Sequence, residues 1–295
     1  MRYRFGSELM WLVVIAILTA TALTGPVVRA QQPFRVVVGQ ADDAADWDPP
    51  VDWNTAPEWI EENAYDCLLF RKVDDSGYDP KLAVRWERIG DLTMRFHLRR
   101  DVKFHDGTPF TAEDVKFHYE RIKSGTREQY IVRDQYQFFT EIIVRDTHTV
   151  DVVTAEPNTL LLDLMSQTGC GIVSRAHFQR VTRDVMHRQP MGTGPFRLRQ
   201  WVKGERVVLE ANRDYWGGKP EVDELVFRVL PEPSTRVAEL LTGGIDATYG
   251  LVPQDEGRIK GNPRLRAHWA PKWIVEPPTA LNMTGAMSES DDSVG

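Results

Sequence analysis

Cysteine is scarce: Cys67 and Cys170 are the only two in 295 residues, and no CxxC spacing joins them. They make neither a zinc motif nor a thioredoxin-like redox motif. Beyond residue 30 no apolar stretch approaches the roughly 20 residues that span a bilayer. Positive charge is not in excess either, with 36 Lys and Arg against 43 Asp and Glu, a net charge of −7. An acidic chain has no electrostatic case for nucleic acid or anionic lipid as a partner. Nucleotide and nucleophile motifs are missing too. Gly192-Thr193-Gly194 would need glycine at Arg197 to complete GxGxxG, and no Walker lysine appears. His105-Asp106 has no GxSxG beside it. The seven histidines are scattered singly, and His97, His105 and His118 lack the short spacings of zinc sites. No catalytic residue, metal ligand or cofactor is expected.

What is present is the composition of a soluble globular protein, 42% hydrophobic and 27% charged, long enough for about two domains. Arg2 and Arg4 precede an apolar run over residues 9–23, and Val28-Arg29-Ala30 ends in small residues. Residues 1–30 therefore read as a signal peptide cleaved before Gln31, too short in its apolar run to be a membrane anchor. No cysteine follows that run, so a lipid anchor is not expected. Removing Arg2, Arg4, Arg29 and Glu8 takes the net charge from −7 to −9. In an exported protein the two cysteines could pair. Cys67, on the apolar face of a helix predicted over residues 57–70 with Ile60, Ala64 and Leu68, reads at least as well as a buried free thiol.

The most ordered pattern covers residues 93–125. Met94, Phe96 and Leu98 alternate with Thr93, Arg95 and His97 as in a half-buried strand. Asp106-Gly107 suits a tight turn. Thr111 and Asp114 form a capping box, Glu113 favours the positive helix end, and Val115, Tyr119 and Ile122 recur at helical spacing until Gly125. Arg99, Lys103, His105 and Asp106 read as a surface turn with weak local ion pairs. Elsewhere, strands are expected over residues 34–39, 141–145, 149–153, 201–211 and 221–230. Helices are expected over 158–165 and from Ser234, as N-cap, to Gly243-Gly244, with Ile245-Asp246-Ala247 entering a further strand. Residues 287–295 are small, acidic and polar, the composition of a disordered tail.

Phe96-His97-Leu98-Arg99, Val102-Lys103-Phe104-His105-Asp106-Gly107, Pro109-Phe110 and Thr111-Ala112-Glu113-Asp114-Val115 resemble the signature of the family 5 extracellular solute-binding proteins. These are the peptide- and nickel-binding receptors of ABC importers. Asp48-Pro49, Tyr65-Asp66-Cys67-Leu68, residues 80–87, Met191-Gly192-Thr193-Gly194-Pro195-Phe196, residues 212–220 and Ile245-Asp246 fit the same pattern. So does Leu281-Asn282, at a position resembling a domain crossover. Cys67 stands where relatives carry glycine, and Trp47 where they carry leucine.

The resemblance implies an α/β fold of the type II periplasmic binding protein kind. This would be the first lobe, a split domain of residues 31–53 and 190–283 with an inserted subdomain at 54–189. Residues 284–295 would be a tail or a truncated crossover, and the second ligand-binding lobe would be missing. It further implies a monomeric periplasmic receptor, not an enzyme, that captures a peptide or similar small solute and delivers it to ABC permease subunits. After signal cleavage it would not be inserted in the membrane. The residues that fall where relatives touch ligand are Trp53, Asn54 and Thr55, and Tyr249, Gly250 and Leu251. A nickel or haem receptor, or a remnant unable to bind, is the alternative; a hydrolase is disfavoured.

Overall fold

The structure, a computed structural model, describes residues 33–266 apart from 45, 52–59, 73–75, 168 and 252. The expected signal peptide, Trp53, Asn54 and Thr55, the first turn of the helix expected from residue 57, Leu281-Asn282 and the acidic tail lie outside the described residues. Among the described residues no helix is long and apolar enough to cross a membrane.

Two sheets carry the fold. Strand β1 (Arg35–Gln40) lies inside a five-stranded sheet and is parallel to both neighbours, β10 (Glu224–Val229) and β11 (Ala247–Thr248). Beyond β10 come β9 (Arg206–Ala211) and β8 (Phe196–Val202), both antiparallel. A parallel pairing requires a crossover, and helix α5 (Pro233–Thr242) supplies it between β10 and β11. Its start differs from expectation: Glu232 is the N-cap and Pro233 the first helical residue, so Ser234 lies inside. Proline is pre-set for that position. Gly243, at φ 80°, ends the helix in the left-handed conformation.

The second sheet is antiparallel, in the order β4 (Ala83–Arg88), β5 (Thr93–Leu98), β7 (Thr149–Thr154) and β6 (Phe139–Asp146). Met94, Phe96 and Leu98 are buried, as their alternation requires. Helix α1 (Ala112–Ser124) follows the turn at Gly107, whose φ is 84°. The Thr111–Asp114 capping box is formed, with the Thr111 amide donating to Asp114 Oδ2 at 2.9 Å. Val115, Tyr119 and Ile122 are fully buried against this sheet's core. The helix expected over 158–165 is confined to α2 (Leu161–Leu164).

Two further expectations are corrected, and of the two readings left open for Cys67 the paired one holds. The helix beginning near residue 57 does not reach Phe70: residues 62–64 turn, and β2 (Leu69–Arg71) pairs with β3 (Tyr78–Pro80). Residues 201–211 are not one strand but a hairpin, broken where Gly204 takes φ 76° between β8 and β9. Cys67 is not a free thiol; it is bonded to Cys170, with Cα atoms 5.2 Å apart.

The two sheets meet where residues 63–66, 191–196 and 212–216 converge. Asp66, 1% exposed, accepts from Thr193 Oγ1 at 3.0 Å, Tyr215 OH at 3.0 Å and Trp216 Nε1 at 2.9 Å, and Lys81 Nζ lies 3.3 Å away. Gly194 passes so close to the chain at 63–65 that a Cβ would stand 2.5 Å from Ala64 C and 2.6 Å from Asn63 O. That close approach, rather than a positive φ, is why glycine is needed there. His105 is half-buried rather than part of an exposed turn. Its Nε2 donates to the Gly194 carbonyl at 3.1 Å, and burial, only partly offset by that bond, lowers its pKa to about 4. Arg99 stacks over Trp216 at 4.0 Å, and Asp106 alone of the group forms a surface ion pair, with Arg180 at 3.0 Å.

Two outcomes follow from these contacts. The disulfide closes a loop of 103 residues, so Cys67→Ser with Cys170→Ser is expected to lower unfolding free energy by about 4 kcal/mol in denaturant titrations. A loss below about 1 kcal/mol would remove that constraint from the account. For His105, whose folded pKa of about 4 lies below its ordinary 6.5, the unfolded chain takes up a proton that the folded chain refuses. Its contribution is present above pH 6.5 and is lost as pH falls toward 4. His105→Gln should therefore flatten the stability–pH slope between pH 6 and 4.5 by up to about 1.4 kcal/mol per unit; parallel slopes would contradict the buried neutral imidazole.

Candidate functional site

Strands β1 and β11 run side by side, with Gly39 opposite Thr248, and both end at the same edge of the sheet. In open α/β sheets ligands lie outside the carboxyl ends of strands, where successive connections part. Here the chain leaves β1 into the acidic loop and leaves β11 into Tyr249-Gly250-Leu251. Thr248 Oγ1 ties the two ends by donating to Gly39 O at 2.8 Å. Leu230, at the end of β10, donates its amide to Gln40 O at 2.7 Å.

Of the residues expected to touch ligand, three are placed here. Tyr249 is half-buried, and its phenol pKa is raised by burial and by Asp42, against the opposing influence of Arg236. Gly250 is exposed and left-handed, at φ 65°. Leu251 turns inward against Leu240, Ile245 and Ile259, a core role. Trp53, Asn54 and Thr55 lie outside the described residues.

The same strand ends gather two residues that sequence reasoning missed. Gln40 is fully buried; its Nε2 donates to Asp42 O at 2.8 Å. Arg236 on α5 is 5% exposed, and its Nη1 donates to Leu230 O at 2.6 Å and Pro231 O at 2.7 Å. Its Nη2 lies 3.8 Å from where a Cβ on Gly250 would stand. A signal existed for Arg236, which immediately precedes Val237 on the helix face that packs inward. Gln40 offered one as the polar residue closing an apolar strand.

The acidic loop is pinned rather than loose. Asp43 accepts from Trp201 Nε1 at 3.0 Å and from the Gly204 amide at 2.7 Å. Asp46 accepts from the Asp48 amide at 2.8 Å and pairs with His187. Asp48 forms a buried bidentate pair with Arg121 of α1, at 2.6 and 2.7 Å. Trp47 is fully buried, edge-on to Trp201. Among the described residues of this arrangement no nucleophile stands beside a base.

The family model of bacterial extracellular solute-binding proteins, family 5 (middle region), matches residues 77–284. The chain belongs to this family. It is 31% identical over 217 residues to the dipeptide-binding protein of Escherichia coli (strain K12), covering 66% of this chain and 41% of that one. It is also 31% identical over 256 residues to the probable D,D-dipeptide-binding periplasmic protein DdpA of the same organism, covering 82% and 48%. Among solved structures, the periplasmic binding protein DppA of Helicobacter pylori, in complex with the peptide STSA, superposes with a TM-score of 0.71 at 27% identity. That match covers 78% of this chain and 50% of DppA. The mixed α/β fold of the type II periplasmic binding proteins is thus the fold of this chain, which spans about half the length of these relatives.

Because Gly250 holds φ 65°, Gly250→Ala is expected to destabilise the fold by about 1 kcal/mol, since a Cβ is strained in that region. An unchanged denaturation midpoint would contradict the left-handed turn at this site.

Proposed function

We propose that this chain is a periplasmic substrate-binding protein that captures a peptide or similar small solute and delivers it, unaltered, to the permease subunits of an ABC importer. Membership of family 5, together with parallel strands β1, β10 and β11 ending at one edge of the sheet, is the observation that carries the reading. Both curated relatives are named for dipeptides, and the solved one holds a peptide. Trp53, Asn54, Thr55, Tyr249 and Gly250 are the proposed contacts, with Leu251 setting the backbone of the second loop. Binding there would use strand-like backbone bonds and few side-chain demands, so varied peptides could enter.

In this reading residues 1–30 direct export and are removed. The five-stranded sheet belongs to a split domain of residues 31–53 and 190–283, and the four-stranded sheet to an inserted domain at 54–189. The mature protein acts as a monomer without a cofactor, and ATP hydrolysis belongs to other subunits. Calorimetry of the exported protein against a mixed pool of short peptides, and separately against nickel–histidine, tests the function. Heat from the peptides alone is expected. Heat from nickel–histidine alone would replace the ligand class, and none from either would overturn the receptor reading.

A further inference from the structure

The acidic loop is gripped from two sides, and the disulfide joins the two grips. On one side Tyr65, two residues before Cys67, donates its hydroxyl to Trp47 O at 2.7 Å. On the other, the segment around Cys170 lies against both prolines of the loop. A Cβ on Gly171 would stand 3.2 Å from Pro49 Cγ, and one on Gly169 would stand 3.5 Å from Pro50 Cα. The Gly169 carbonyl also accepts from His118 Nε2 at 2.9 Å, and His118 Nδ1 lies 3.4 Å from Nη2 of Arg121, the partner of Asp48. The Cys67–Cys170 bond closes this ring of contacts around residues 46–51.

The crossing of the chain nearby does not depend on that bond. Asp66 keeps its donors Thr193, Tyr215 and Trp216, and the Ile172 amide donates to Asp66 O at 3.0 Å. What the disulfide adds is a fixed spacing between Tyr65 and Gly169–Gly171, the two sides of the grip. Its sulfurs differ in access: Cys67 is half-buried, whereas Cys170 is 2% exposed. An incoming thiolate therefore meets Cys67 Sγ first. Attack there breaks the S–S bond, and Cys170 Sγ leaves as a thiolate and takes a proton. The second thiol of a dithiol then displaces Cys67 and ends in a cyclic disulfide, so two electrons and two protons pass to the protein.

We propose that the Cys67–Cys170 disulfide is a redox-sensitive clasp on residues 46–51, which a dithiol reductant opens. Two residues beyond Val51 the chain reaches Trp53, Asn54 and Thr55, the contacts proposed above, so an open clasp weakens the hold on a solute. That consequence rests on the receptor reading; the clasp itself does not. Hydrogen exchange read by mass spectrometry tests the clasp on the exported protein, oxidised and in dithiothreitol. Labelling pulses are kept short enough that β9 and β10 stay protected. The Asp48 amide donates to Asp46 Oδ1 and the Val51 amide to Asp48 O, so both report on the loop. Reduction is expected to speed their labelling about tenfold, the size of one lost hydrogen-bonded contact, with β9 and β10 still unlabelled. Cys67→Ser with Cys170→Ser should label like the reduced protein and ignore dithiothreitol.

Equal labelling of the loop in both redox forms would overturn the proposal. So would loop, β9 and β10 labelling together on reduction, which a bond serving only global stability would produce. Reduction of the native chain needs no variant, so the result stands even if the double serine protein fails to fold. Calorimetry with alanyl-alanine reads the consequence: the oxidised form is expected to bind about tenfold more tightly than the reduced one. Equal affinity in the two forms would overturn the link to binding. Silence from both forms toward this and every other peptide would overturn the receptor reading, while labelling still decides the clasp.

Discussion

A single buried carboxylate, Asp66, is the constraint on which the rest of the architecture depends. It receives three hydrogen bonds from side chains that lie 127, 149 and 150 positions further along the chain. Removing water from a carboxylate is expensive unless its lone pairs are matched, so Thr193, Tyr215 and Trp216 must converge for the chain to bury this point. Their convergence fixes the crossing of the 191–196 segment against 63–65, which the close approach of Gly194 then tightens. The disulfide begins one residue later, at Cys67, and the Ile172 amide donates to Asp66 O. Segments from four places in the sequence are therefore locked at one spot, and the two sheets are built outward from it.

The loop that leaves β1 is held by the same economy of charge. Asp48 reaches Arg121 on α1, and Arg121 in turn lies against Tyr130 and Phe178. His118, one turn earlier, binds Gly169 O at 2.9 Å, next to Cys170. A buried pair of this kind adds little net stability over apolar residues of equal volume, but breaking it is costly, so it fixes one arrangement. What it fixes is the path of the acidic loop between the sheet edge and the helix of the second sheet. The family signature at residues 93–125 is in this sense scaffolding. Its Arg121 positions a loop.

How far the sequence foretold this depends on the range of the contacts involved. Strand β5, the Asp106-Gly107 turn and helix α1 were legible because their determinants lie within a few residues of one another, ending in the Thr111–Asp114 box. The hairpin at Gly204 was missed because apolar and β-branched residues on both sides disguise the break as one long strand. The helix over 57–70 was drawn too long because Ile60, Ala64, Cys67 and Leu68 share a helical spacing, while tertiary contacts pull Leu69 into a strand with Pro80. His105 looked like part of a surface turn, since nothing local announces that Gly194, 89 residues away, will cover it. The pairing of Cys67 with Cys170 was undecidable from spacing for the same reason. At the strand ends, Tyr249 and Gly250 came from family resemblance, whereas Gln40 and Arg236 needed the fold to bring two distant segments together.

That contrast gives the strand-end site its meaning. Through the core, almost every buried charge is answered: Asp66 by donors, Asp48 by Arg121, Asp151 by Arg95 and Arg145. A chain that satisfies its charges so consistently leaves few of them unmatched without consequence, because each unmatched buried group weakens a fold only marginally stable to begin with. Gln40 Oε1 is such a group, buried without a partner among the described residues, and it lies where parallel strands β1 and β11 end. In the receptor proposed above, a solute that supplied the missing donor would remove that cost, so part of the stability withheld from the empty protein would become affinity.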